Sequence, residues 1–309
     1  MGGLGTGSNL TMQNRYVGDI GDYLKLSILH VLSPGYRLGI AWWLYPDESH
    51  NRDGRHIGYL QQSGQWQQFD PDLFDGLADI VATNQRTVRS LEAANLLPGA
   101  VFASRMIPVG GRTSDRSQQR RLWFEAAKRR VEDADLVFVD PDNGLAPTGY
   151  SCKSSKAGKS VTVSEIRELA RPGRCLIVYH HQTRRKGGHH AEIEHWADRL
   201  RASGFGRVDA LRAKPYSPRV YFLLDAPTDV RRRAELIASG WRGLITWHPD
   251  VVTGKRQSSR RSSGPRTLNG RPRLYAAAIS RVALIGNLST LHSADRFASR
   301  GRTWSVSQK

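Results

Sequence analysis

The sequence predicts an α/β fold, a mostly parallel sheet with helices on both faces and an antiparallel hairpin at its C-terminal edge. Short apolar runs alternate with segments of helical periodicity over residues 12–225, the pattern of parallel strands joined by crossover helices. The run from Leu136 to Val139 is apolar at every position, as a strand covered on both faces must be. Two β-rich stretches near the end of this region, 207–211 and 219–224, are joined by a turn holding Pro215 and Pro218 instead of by a helix, which makes them a hairpin.

Each element follows from local pattern. Residues 1–11 are rich in Gly, Ser and Thr without apolar periodicity; they read as a disordered extension, with Met12 as the expected natural start. Tyr23, Leu24, Leu26, Ile28, Leu29 and Leu32 recur at helical spacing over 22–33, with Asp22 as the expected N-cap and Pro34-Gly35 as the stop. Residues 38–45 read as a buried strand, and 47–56 as a polar loop. Two helices are expected over 71–81 and 84–95, the second closed by Leu-Leu-Pro-Gly, and then a strand over 100–107. Ser114 or Ser117 caps the next helix, which runs to about Arg130. The strand 136–139, a short helix 163–170, a strand 175–179 and a helix 191–202 lead into the hairpin. Beyond Asp225 the chain is expected to leave the fold: 226–309 reads as a basic, largely disordered tail, because 254–273 is almost devoid of apolar residues. Residues 274–291 are apolar enough for a short element but have no evident partner.

Composition narrows the class. At 309 residues and 39% hydrophobic, the chain can bury one substantial core. Its apolar runs fall short of the roughly 18–20 residues that span a bilayer, so no membrane segment is expected. Cys152 and Cys175 lack CxxC spacing, which argues against a disulfide framework or a thiolate zinc site and for a reducing cytoplasm. The net charge of +18 suggests a nucleic-acid partner. Most of it lies beyond residue 225, however, so 12–225 is only mildly basic.

Four segments carry candidate chemistry. Asp140-Pro141-Asp142-Asn143-Gly144 ends the apolar strand, and ligands of open α/β sheets sit at the carboxyl ends of such strands. A surface turn uses the same residue types. Gly18-Asp19-Ile20-Gly21-Asp22 stands ahead of the first helix with Lys25 one turn on; a plain capped helix explains these residues as well. The loop Asp47-Glu48-Ser49-His50, continuing to Gly54-Arg55-His56, follows the first strand. His180-His181 opens a run reaching Arg184-Arg185-Lys186 and His189-His190, suited to a phosphate-rich ligand or to helix capping.

Taken in order, these segments resemble the bacterial adenine-N6 methyltransferases that act on large-subunit ribosomal RNA. Gly18 to Lys25 is similar to that family's Gly-Asn-x-Ala-Asp-Val-x-Lys. Asp47-Glu48-Ser49-His50 with Gly54-Arg55 resembles its cofactor loop, Leu97-Pro98-Gly99 its Tyr-Pro-Gly turn, and Asp140-Pro141-Asp142-Asn143 its Asp-Pro-Pro-Tyr. The resemblance spans 14–225 loosely and implies a Rossmann-like, class I methyltransferase-like fold with S-adenosylmethionine as cofactor. It further implies Gly18, Asp19, Asp22, Lys25, Asp47, His50, Gly54 and Arg55 around that cofactor. Asp140, with Asp142 and Asn143 beside it, would orient the target amine toward the methyl group.

The chain departs from the family at Leu26, where the family has histidine, and at Asn51, Arg52 and Asp53, where it has small residues. No acid for the ribose is evident after 100–107, and Asp142-Asn143 replaces the Pro-Tyr that stacks on a flipped base. Two other classes therefore stand beside methyl transfer. Asp19, Asp47, Glu48, Asp140 and Asp142 could gather Mg²⁺ or Mn²⁺ for phosphodiester hydrolysis, with His180 or His181 activating water. Alternatively, a catalytically inactive descendant would only bind nucleic acid or a partner protein.

Overall fold

A computed structural model describes residues 14–46, 54–183, 185–241 and 243–251. After a 3₁₀ turn at Asn14–Tyr16, α1 (Ile20–Leu32) is capped by Asp19, whose carboxylate accepts from the amides of Gly21 and Asp22. The cap is thus Asp19 and not Asp22, because Asp22 already lies inside the first turn. β1 (Leu38–Trp43) is buried throughout. A compact stretch of short turns follows, 3₁₀ at Gly58–Gln61, α2 (Ser63–Trp66) and 3₁₀ at Gln67–Phe69. Asp70 then caps α3 (Pro71–Ala82), with Pro71 at the first helical position, where its missing N–H costs nothing.

The helix expected over 84–95 is the shorter α4 (Val88–Ala93), capped by Thr87. Asn84 turns through a positive φ and postpones the start. β2 (Val101–Ala103) is likewise shorter than its apolar run, and α5 (Arg116–Arg130) leads to β3 (Leu136–Pro141). Two elements absent from the sequence reading, β4 (Gly144–Leu145) and β5 (Ser160–Val161), form a small parallel pair beside the main sheet. α6 (Val163–Leu169) opens with a capping box between Thr162 and Glu165. Then come β6 (Cys175–His181), α7 (Gly188–Ala202), β7 (Val208–Ala213) and β8 (Arg219–Leu224).

The fold does not stop at Asp225. α8 (Thr228–Gly240) and β9 (Ile245–His248) continue it, and Val230, Ala234, Ile237 and Trp241 are fully buried. The expected tail boundary is therefore wrong for 226–251, where apolar residues at helical spacing outweigh the basic composition. The segments 1–11, 254–273 and 274–291 lie outside the described residues.

Strand order is β2-β1-β3-β6-β8-β7-β9. β2, β1, β3 and β6 are parallel, β8 pairs antiparallel with both β6 and β7, and β9 pairs antiparallel with β7. The β7–β8 hairpin forms as predicted but is interior, since β9 covers its outer side. This is an α/β, Rossmann-like fold. One sheet face packs Trp123 and Phe124 of α5, Ile166 of α6, and Ile193 and Trp196 of α7 against Val137, Val139 and Val178. The other lies under α1, where Tyr23 stacks on Tyr59 and meets Phe74 and Trp241. Such aromatic contacts contribute about 0.5–1.5 kcal/mol each beyond area burial. Among the described residues no helix is long and apolar enough to cross a membrane.

Candidate functional site

Because the chain leaves β1 outward to β2 and returns to β3 on the other side, the strand order reverses between β1 and β3, and a crevice opens at their carboxyl ends. A cavity of about 470 Å³ lies there, within the roughly 300–1,000 Å³ of pockets that hold small ligands. Asp140 and Asp142 line it, as do Gly54, His56 and the N-terminal turn of α1.

A largely buried charge cluster forms one wall. Alternation along β3 turns Phe138 and Asp140 toward α1, and Lys25 on that helix meets the carboxylate with Nζ 2.7 Å from Asp140 Oδ2. The same ammonium lies 3.1 Å from Asp22 Oδ1, with Trp42 and Tyr179 at 5.6 and 5.8 Å on either side. Burial alone would lower the Lys25 pKa, but Asp140 and Asp22 outweigh it and hold the ammonium charged well above its ordinary range. Burial pushes the Asp140 carboxyl up against the opposing pull of Lys25, which makes it a stronger hydrogen-bond acceptor. Among the described residues, only Oδ2 of Asp140 is engaged in a hydrogen bond.

The N-terminal motif folds onto this cluster. Gly18 has φ +78° and donates its N–H to Asp22 Oδ2 at 3.1 Å; a Cβ here would stand 2.6 Å from Val81. Burial, with Asp22 beside it, pushes Asp19 up to about 6, against Arg219 and Lys25. Arg86 binds the carbonyls of Val17 and Gly54 at 2.7 and 2.6 Å, tying the motif to the start of the second candidate segment. Arg55 is exposed. Asp47, Glu48 and His50 lie outside the described residues.

On the opposite wall Asp142 pairs with Lys159 at 3.3 Å, and Lys159 also lies 4.9 Å over the Tyr45 ring. The Asn143 backbone amide donates to the Lys159 carbonyl at 2.7 Å, so Asn143 is held by backbone pairing into the β4–β5 unit. His181 lines the cavity. Burial, Arg219 and His180 depress its pKa, leaving a neutral imidazole at neutral pH, with Nδ1 3.4 Å from the Tyr179 hydroxyl.

His180 does not join them. It faces the other side of the sheet, 2% exposed, where Nδ1 accepts the Leu145 amide at 3.1 Å and Nε2 faces Glu192 at 3.4 Å. The ring thereby braces β4, with Trp196 edge-on at 5.1 Å. The expectation that His180 activates water is corrected, because strand alternation can present only one of two adjacent histidines to the crevice.

Several site residues were missed in the sequence. Trp42 reads as a core strand residue and becomes a cavity wall only at the strand end, while Tyr179 heads the histidine-rich candidate run and is a cavity wall too. Lys159 arrives from a 3₁₀ turn without periodicity, and Arg219 from the antiparallel strand β8, whose first residue is at the carboxyl edge of its parallel neighbours. Glu92 accepts from Trp42 Nε1 at 3.1 Å and from the Ser104 hydroxyl. It places an acid near the ends of β1 and β2 from a helix, not from the segment after β2. Among the described residues no group of three or more potential metal ligands converges. No family model and no curated protein matches the chain.

Proposed function

We propose that the protein is an S-adenosylmethionine-dependent methyltransferase-like protein that acts on or binds nucleic acid, with Asp140 orienting the acceptor amine. The observation that carries this reading is the Asp140 carboxylate at the switch-point crevice, half-buried, held from one side by Lys25, with its second oxygen facing no described donor. An amine entering the crevice can donate to that oxygen, which fixes its lone pair in one direction. Lys25 holds the carboxylate in place, and Trp42 and Tyr179 shield the pair from water.

The residues present fit the cofactor chemically. Its ammonium and sulfonium charges suit a crevice holding Asp19, Asp22 and Asp142, its carboxylate suits Arg219 or Lys159, and its adenine suits the apolar wall of Leu44, Val88 and Leu91. When bound, S-adenosylmethionine supplies an electrophilic methyl group. Gly18, Asp19, Asp22 and Gly54 would hold it, together with Asp47 and His50 as the resemblance implies. The metal-hydrolase alternative is less supported: Lys25 between Asp22 and Asp140, and Lys159 on Asp142, already bring the positive charge that Mg²⁺ or Mn²⁺ would bring.

Charge distribution supports a polyanionic partner. Exposed Arg55, Lys153, Lys156, Arg185, Lys186 and Lys214 stand in the loops at the carboxyl edge, where they can neutralise phosphates. Calorimetric titration with S-adenosylmethionine and, separately, with Mg²⁺ and Mn²⁺ tests the reading. Cofactor binding that survives Asp140→Asn, while methyl transfer to RNA falls at least about 100-fold as for a lost positioning group, is the expected result. Absent cofactor binding, with metal binding that vanishes in Asp140→Asn, overturns it in favour of the hydrolase.

A further inference from the structure

We propose that Tyr216 is a stacking platform for a nucleobase of single-stranded nucleic acid, presented at the mouth of the cavity by a strained turn between β7 and β8. This rests on the nucleic-acid part of the reading above and supplies the aromatic surface that Asp142-Asn143 cannot.

The backbone is the first evidence. Besides Tyr216, the described non-glycine residues with positive φ are Asn84, Asn95, Asp225 and Asp250, types that tolerate this region. Tyr216, at φ +60°, is the bulky exception. The Ser217 amide donates to the Pro215 carbonyl at 2.7 Å, closing a three-residue turn around Tyr216 of the rare, strained γ form. Such strain persists only where the surroundings over-determine it, and here they do. The Arg219 guanidinium binds the carbonyls of Pro215 and Ser217 at 3.0 and 2.9 Å, while the Gln182 amide holds the Pro218 carbonyl at 3.1 Å.

The second line is what the turn presents. Pro215 is buried, yet the Tyr216 side chain is turned outward, and the residue is 53% exposed. It is one of three large apolar residues so exposed among those described, and the others, Leu122 and Leu236, lie on helices. Its ring lies 5.0 Å from that of His56 at 43°, and His56 and Ser217 line the cavity. A flat group stacking on the exposed face of Tyr216 would therefore lie beside His56, at the edge of the cavity that holds Asp140.

Charge around the turn favours a nucleic acid over a protein as the occupant. Lys214 precedes Tyr216, and Arg212 and the His190–His248 ring pair, 5.9 Å apart, lie along the same flank. Burial, together with His190, Arg212 and Lys214, presses the His248 pKa down to about 4, the response of a desolvated imidazole among basic side chains. An exposed aromatic ring beside cations such as Lys214 and Arg212 is the arrangement by which single strands are held, the ring taking a base and the cations the backbone.

Fluorescence anisotropy of a labelled single-stranded oligonucleotide on the full chain tests this, with Tyr216→Phe, Tyr216→Gly, Tyr216→Ala and Lys214→Ala. Tyr216→Ala and Tyr216→Gly should weaken binding roughly 5- to 100-fold, the range for one base on an aromatic ring, without changing the salt slope. Tyr216→Phe should stay within about twofold, because the ring face is kept. Lys214→Ala should reduce the salt slope by about one. Tyr216→Gly should also raise Tm by a few degrees, since glycine adopts this φ without strain, which separates lost binding from lost folding. Wild-type binding by both ring-deleted variants, absent binding by the wild type, or weak binding accompanied by a fall in Tm in Tyr216→Gly overturns the proposal. Titrating the same variants with S-adenosylmethionine keeps the two readings apart: absent cofactor binding alongside Tyr216-dependent oligonucleotide binding sinks the transferase reading alone.

Discussion

Lys25 and Asp140 stand 115 residues apart in sequence and 2.7 Å apart in space, and their pairing carries a testable cost. Two carboxylates, Asp22 and Asp140, share one ammonium, and all three side chains are largely shielded from water. Replacing Lys25 with Met keeps the length of the chain but leaves both acids without a counter-charge. Breaking one side of a buried ion pair costs about 3–5 kcal/mol, so urea denaturation of Lys25→Met should show a loss of that order. Lys25→Met/Asp140→Asn should recover part of it, because one of the stranded charges is then gone; a double variant no more stable than the single would show that the ammonium's other contacts, to Trp42 and Tyr179, matter more than its charge.

A second buried acid behaves differently with pH. Glu192 receives the Thr183 amide and hydroxyl and faces His180. Burial alone would raise its pKa, but these donors prevail and hold it down to about 2, from an ordinary 4.5. A folded-state pKa below the unfolded one means that the unfolded chain binds the proton more tightly, so the stabilisation is full above about pH 4.5 and is lost as pH falls through 2. At about 1.4 kcal/mol per unit it amounts to ~3 kcal/mol. Glu192→Gln should therefore be less stable than the wild type at pH 7, with the difference shrinking toward pH 2. A constant difference across that range would place the effect in packing instead.

At the scale of elements, the legible part of the fold is the part whose apolar pattern has a period. α1, α3, β3 and β8 fall within a residue or two of their predicted spans because burial on one face or both forces the pattern. Of what escaped, α8 has such a period but lies in a strongly basic stretch, whereas the smallest elements have none. β4 and β5 are two residues each and form because Gly144, at φ +90°, crosses against β6 where any Cβ would come 2.6 Å from the His180 Cα. The candidate site divides in the same way. Asp140, Asp142, Gly18, Asp19, Asp22 and Lys25 were visible because they cluster in sequence beside strand and helix ends. Trp42, Lys159 and Arg219 were not, because each enters the crevice by a pairing register or a crossover that no local window contains. His180 illustrates the converse: adjacent to His181, it was read with it, and one residue of strand phase sent it to the opposite face.

At the scale of the molecule, the sheet is completed by residues that composition assigned to a tail. α8 covers the flank of α1, with Tyr36 donating to Asp229 at 2.7 Å and Arg233 reaching the carbonyls of Leu32 and Pro34 at 3.0 and 2.6 Å. Trp241 stacks on Phe69 at 4.4 Å and meets Tyr23 at 5.6 Å, which joins the end of α8 to the aromatic core beneath α1. Ending the chain after Asp225 would expose that core and remove β9 from β7. Loss of Val230, Ile237 and Trp241 alone, at about 1.5–3 kcal/mol for each large apolar side chain, approaches the 5–15 kcal/mol that holds a typical domain together. The truncated chain should therefore lack a cooperative melting transition near that of the full chain, as followed by circular dichroism. Because α1 carries Asp19, Asp22 and Lys25 into the crevice, it should also lose whatever ligand the full chain binds there. A truncated chain that melts like the full one would mean that α8 and β9 dock on an already complete fold, and that the crevice owes its shape to α1 and the parallel strands alone.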